Sequence, residues 1–162
     1  MALDQSQLQT LKTTIINDPF LVSQPMTSGG ALVIAEELNK TASPDYIVWK
    51  TSVSIDEIMR NGMDWARVDN LSVGKARIWD WLGRLGSFDA SKPNVRAGID
   101  ATWVGTAADL AVRASVYVHC KRKATRAEKL FATGLGSDAS PSVLGFEGFL
   151  TSEDVQVARE LP

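Results

Sequence analysis

Five times along the chain a Ser, Thr or Asp stands three residues ahead of a Gln, Glu or Asp, at the head of a run with helical apolar spacing. The pairs are Asp4 with Gln7, Ser54 with Glu57, Thr106 with Asp109, Thr125 with Glu128 and Thr151 with Asp154. In this arrangement the first side chain accepts from a backbone N–H of the opening helical turn, and the second reaches back to the N–H of the cap residue. Each cap contributes about 1 kcal/mol, so its main effect is to fix where a helix begins. Starts this frequent predict a mainly α fold built of short helices.

The apolar spacing fills in the elements. Leu8, Leu11 and Ile15 follow the first pair and predict a helix over about 5–17, ended by Asn17-Asp18-Pro19. Phe20 to Gln24 is compatible with a short helix or a loop. Ser28 is placed to cap a helix carrying Ala31, Ile34, Ala35 and Leu38 on one face. From Tyr46 to Val53 the alternation of Ile47, Trp49, Thr51 and Val53 has period 2 and predicts an extended segment. Asp64 opens a turn through Trp65 and Val68. Ser72 introduces a helix whose core face reads Ile78, Trp81, Leu82 and Leu85, with Trp79 off that face. Ser91 with Pro93 predicts a further start. The helix opened by Thr106 is expected to end in Lys121-Arg122-Lys123.

After Phe131 the composition changes. Residues 133–141 are small, polar or turn-forming apart from Leu135, which predicts a flexible linker. Beyond it lie bulky apolar residues between glycines, then a short helix with Val155. The chain thus divides into a helical core over 1–132, the linker, and a C-terminal strand-and-helix arm over 142–162. Leu144, Phe146, Phe149, Leu150 and Val155 are the apolar residues this arm offers for docking, either on its own core or on a neighbour.

The 162 residues are 44% hydrophobic and 22% charged, a globular composition that excludes a disordered or collagen-like chain. With 17 Lys and Arg against 19 Asp and Glu, the net charge of −2 gives no general attraction to nucleic acid or anionic membrane. The N-terminal residues lack a signal-peptide pattern, and no stretch of 18 apolar residues is free of charge. A soluble protein of a reducing compartment is expected. One cysteine and one histidine, Cys120 and His119, can build neither an internal disulfide nor a Cys/His zinc cage. Neighbouring helical positions point about 100° apart, so the two read as a packed thiol and a boundary imidazole rather than a catalytic dyad. Gly134-Leu135-Gly136 has no strand-helix frame for a phosphate site, and the acidic pairs fit helix capping or solvated faces. No catalytic residue, metal site or cofactor is expected.

Lys121, Arg122, Lys123, Arg126 and Lys129 form the one concentrated charge feature. At a helix end it complements the macrodipole; alternatively it contacts an acidic partner surface or DNA phosphates. Five tryptophans are many for this length, and Trp79 and Trp81 on two faces of one helix leave one of them available to a partner.

Asn61-Gly62-Met63-Asp64-Trp65, Arg67-Val68-Asp69-Asn70-Leu71, the run Ala124 to Gly134, Ala139-Ser140-Pro141 and Phe146-Glu147-Gly148 together resemble a family of small virion proteins of tailed bacteriophages. The similarity spans most of the chain and is clearest from Ala124 to Arg159. It implies a structural, non-enzymatic head–tail connector subunit, an adaptor that forms a ring beneath the portal and docks through an extended segment. Its implied partners are the portal protein, about twelve copies of itself in the ring, a downstream neck or tail protein, and genomic DNA in the channel, with no membrane. The implied location is the head–tail junction of the virion, after synthesis in the host bacterial cytoplasm. A head-closing stopper, a tail-completion or capsid-associated protein, and a DNA-binding packaging accessory are the alternatives.

Overall fold

The computed structural model describes residues 3–162. In chain order its elements are α1 (Gln5–Asn17), α2 (Pro19–Val22), α3 (Ser28–Leu38), β1 (Ile47–Trp49), β2 (Val53–Ser54), α4 (Ile55–Arg60), α5 (Trp65–Asp69), α6 (Val73–Gly83), β3 (Ser87–Phe88), α7 (Pro93–Thr102), α8 (Ala107–His119), β4 (Lys121–Lys123), α9 (Arg126–Phe131) and α10 (Ser152–Glu160). The protein is mainly α. β1 pairs with β4, and β2 pairs antiparallel with β3 in the register Val53↔Phe88, Ser54↔Ser87. Among the described residues no helix is long and apolar enough to cross a membrane.

Four of the five cap pairs close as reciprocal boxes, at α1, α8, α9 and α10; at α4, Ser54 accepts from the Glu57 N–H. Three expected starts move by one residue or change kind. Thr27, not Ser28, caps α3. Pro19 at the first position turns the ambiguous Phe20 stretch into the single-turn α2, capped by Asp18. Lys92 precedes α7 without a side-chain cap, because Pro93 at N1 already removes one orphan N–H.

The chain forms two compact units, one from residues 1–48 and 123–162 and one from residues 49–122. This differs from the expected division into core, linker and arm: residues 142–162 belong to the same unit as the first helices. In the first unit α10 packs on α3 and α1. Its core combines Leu11, Ile15 and Leu21 with Ile34, Leu38, Phe146, Leu150 and Val155. Phe131 and Phe146 meet edge to face with ring centroids 5.6 Å apart. Residues 142–150 form no named strand and join the unit through isolated bridges, Val48↔Ser142 and Thr133↔Val143.

The linker is held rather than slack. The Tyr46 hydroxyl donates to the Gly134 carbonyl at 3.1 Å, and the Ile47 N–H donates to the Gly136 carbonyl at 2.7 Å. Gly136 sits at φ +67° with the Tyr46 ring directly where a Cβ would stand, which is why this turn needs glycine.

In the second unit α6 packs on α7 and α4 on α8. The expected core face of α6 is reversed in its aromatics: Trp79 is 4% exposed, whereas Trp81 is 64% and Leu85 88% exposed. Gly98 on α7 admits Ile78 and Leu82, whose methyls come within 3.6 Å of the position its Cβ would take. Trp79 turns inward as well, where it joins the core of this unit and meets Trp103 edge to face at 5.3 Å. The strand expected over 46–53 is split into β1 and β2, with the Lys50 backbone bonded to Cys120 and Ala90 between them.

Candidate functional site

Of the five arm residues, Phe146, Leu150 and Val155 are buried in the core of the first unit, and Leu144 is half-buried. Phe149 alone is well exposed, at 72%. The segment is fastened by Asn39, which the sequence reading did not single out, and by Glu128, which it read only as part of a helix cap. Asn39, just past α3, donates from Nδ2 to the Leu150 carbonyl at 2.9 Å, and its Oδ1 accepts from the Leu150 N–H at 2.8 Å. Glu128, buried in α9, accepts from the Gly148 N–H through Oε1 at 3.2 Å and from the Thr125 N–H through Oε2 at 3.0 Å. Asn39 lies 111 residues from Leu150, so no local spacing could reveal the pair.

The basic cluster is dispersed. α8 stops at His119 with Cys120 as its C-cap, so Lys121, Arg122 and Lys123 lie in β4 rather than at a helix end, and their side chains alternate between its faces. Strand geometry wins because the Ala124 N–H donates to Tyr46 and the Cys120 carbonyl accepts from Lys50. Lys123 pairs with Asp45 at 2.7 Å, and Lys121 and Arg122 have interactions of their own within the protein. Lys129 stands 5.4 Å from the centroid of the Tyr46 ring.

Arg126 bridges two carboxylates, Glu37 at 2.6 Å and Asp18 at 3.0 Å. Burial raises the Asp18 carboxyl, but the Leu21 and Phe20 N–H groups and Arg126 outweigh it and hold it below the ordinary carboxylate range. Glu37 is likewise held low, by its hydrogen bond to Lys40 foremost and by Arg126. Arg126 therefore ties α9 to α3 and to the cap of α2.

In the second unit, Arg67 of α5 reaches Asp109 in the first turn of α8 through Nε at 3.1 Å and a terminal nitrogen at 2.5 Å. The Arg67 hydrogen bond and the Thr106 cap lower the Asp109 carboxyl to about 2. Burial pushes the Cys120 thiol up to about 12. His119 places Nδ1 3.3 Å from a Glu57 carboxylate oxygen and Nε2 3.2 Å from the Asn61 carbonyl. The pair sits as the helix geometry predicted, a packed thiol and an imidazole engaged elsewhere. Tyr117 donates to Asp100 at 3.0 Å and packs against Trp49, over which Arg96 lies at 4.7 Å. Burial and Asp100 raise the Tyr117 hydroxyl. No group of three or more His, Cys, Asp or Glu side chains placed to hold a metal ion occurs among the described residues.

The remaining chemistry lies in exposed apolar side chains. The first unit presents Ile16, Val22 and Met26 along a groove of about 180 Å³. Its rim cations are already engaged: Lys12 donates to the Leu161 carbonyl, and Arg159 to the carbonyls of Gln24 and Pro25. The second unit presents Trp65, Val73, Trp81 and Leu85. Large apolar side chains rimmed by charge are suited to protein–protein contact. Comparison of the chain with models of protein families, with curated proteins and with solved structures returned no match.

Proposed function

We propose that this protein is a structural subunit of a tailed-phage head–tail connector, an adaptor that takes its place in a ring beneath the portal and contacts portal, neighbouring copies and a neck or tail protein through exposed apolar groups. The observation that carries the reading is the set of exposed bulky side chains beside charged ones, with Trp81, Leu85 and Phe149 foremost. The similarity of the segments around Asn61 and from Ala124 to Arg159 to small phage virion proteins supplies the particle.

The docking element changes from the expected one. A swung-out arm would strip Phe146, Leu150 and Val155 from their own core, so of the five expected docking residues Phe149 and the edge of Leu144 are the ones left for the portal. DNA contact through the basic cluster is not part of the proposal, because Lys123 and Arg126 are already paired with carboxylates.

The test is a symmetry-aware cryo-EM reconstruction of the neck of the phage particle. The expected result is a ring of this chain directly below the portal, with Phe149 at a subunit boundary. Density for the chain in the tail tube or capsid shell would reject the adaptor assignment.

A further inference from the structure

The two units differ sharply in charge. Along the sequence, residues 1–48 and 123–162 carry 6 Lys and Arg against 11 Asp and Glu, a net −5; residues 49–122 carry 11 against 8, a net +3. The overall charge of −2 hides this division.

The basic unit also exposes a ridge. Val73, Arg77 and Trp81 follow at i, i+4 and i+8 on α6, and Leu85 continues the row just past the C-cap Arg84. Rows of this spacing are the ridges that fit grooves on another helical surface. Val73, Trp81 and Leu85 are exposed, and neither Arg77 nor Arg84 has an ion-pair partner among the described residues. Lys75, by contrast, is engaged with the Val104 carbonyl at 2.7 Å. An aromatic flanked by two uncommitted guanidinium groups suits an apolar surface with an acidic rim.

We infer that the α6 ridge is a docking surface for the acidic unit of a second copy of this chain. The acidic unit offers what the ridge lacks: Leu32 and Val33 are exposed on α3 with Glu36 one helical turn on, and Phe149 and Glu153 are exposed on the segment that leads into α10 and in its first turn. A two-fold contact of ridge on ridge would set Arg77 and Arg84 against their own kind with only Asp80 to offset them, which charge repulsion disfavours. A ridge seated on the acidic unit of the next copy, and not returned by it, is a head-to-tail contact, and such contacts propagate until a ring closes or a filament grows. This deepens the ring reading given above, and rests on it only for closure.

Self-association of the whole protein is followed by sedimentation velocity across a concentration series at low and high salt. The expected result is assembly that passes beyond the dimer, weakens at high salt, and weakens at least about tenfold in Trp81→Ala and in Arg77→Glu/Arg84→Glu. Partial recovery in that charge-reversed variant is expected on adding Glu36→Lys and Glu153→Lys. Mixing Asp80→Cys protein with Glu36→Cys or Glu153→Cys protein under mild oxidation should give mixed disulfides and few Asp80→Cys homodimers; the buried Cys120 thiol stays silent. A protein that remains monomeric, assembly indifferent to the reversed arginines, a closed dimer linked through position 80, or duplex DNA bound by the ridge in place of a second copy would each overturn the inference. These outcomes are independent of where the chain sits in the particle, so a failure here and a failure of the connector assignment are told apart.

Discussion

Replacing Phe146 by alanine separates a docking arm from a core element. Phe146 is buried and packs edge to face on Phe131 within the first unit. A buried aromatic ring withdraws roughly 150 Å² or more from water. At about 25 cal/mol per Å² its loss costs about 4 kcal/mol, within the range of about 3–5 kcal/mol for emptying such a site. With a urea dependence of about 2 kcal/mol per molar, the unfolding midpoint should fall by about 2 M. Far-UV circular dichroism in urea reads the shift, and hydrogen exchange in α3 and α10 reads it locally, since both helices share that core. Phe149→Ala, three residues away and exposed, is the control and should move the midpoint by less than about 0.5 kcal/mol in equivalent stability. Equal and small shifts for the two variants would refute the reasoning, because they would mean that residues 142–150 are not part of the core that holds α3 and α10 together.

Gly29 and Gly30 should respond to alanine with opposite signs. A Cβ at Gly29 would meet only the Thr27 hydroxyl, at an ordinary contact of 3.8 Å, and should gain about 0.5–1 kcal/mol in thermal or urea unfolding, whereas a Cβ at Gly30 would stand 2.1 Å from the Pro25 carbonyl oxygen and should destabilise. Asp109 titrates at about 2 in the fold against an ordinary value of 3.8, so its contribution is complete above about pH 4 and drains away as pH falls through 2. Melting temperatures of Asp109→Asn should be lower than wild type at neutral pH and lose that acid dependence; parallel profiles for the two proteins would disprove it. Arg126→Ala should cost about 1–2 kcal/mol by uncoupling α9 from Glu37 and Asp18, a figure reduced for the partial exposure of all three groups. Cys120 should resist a thiol reagent at neutral pH in the native protein and react at once in denaturant, which stopped-flow absorbance with a disulfide reagent would check.

Helix starts were legible because a cap is a local device: Asp4 and Gln7, or Thr151 and Asp154, complete their hydrogen bonds within one turn. The face of α6 was not, because both Trp79 and Trp81 fit helical periodicity, and Trp79 is the one that packs on Trp103, a residue beyond the next helix. The end of α8 was misread for a similar reason. Lys121 to Lys123 suit a helix terminus electrostatically, yet the backbone found partners in β1 and its neighbours. The arm was recognised as apolar, but where it docks depended on Asn39, a residue with no local signal. Of the candidate surface residues, Phe149 and Trp81 remain available, while Arg126 and Phe146 serve the fold.

The second unit is a continuous stretch of sequence, whereas the first is split around it. On a ribosome this sets a timetable. When Cys120 emerges, every residue of the second core, from Val53 onward, has been delivered and can condense. Leu11, Ile15, Ile34 and Leu38, made much earlier, must still wait for Phe146, Leu150 and Val155 to cover them. A nascent chain therefore carries a half-built apolar surface from the time Leu38 is made until Phe146, Leu150 and Val155 follow and close it.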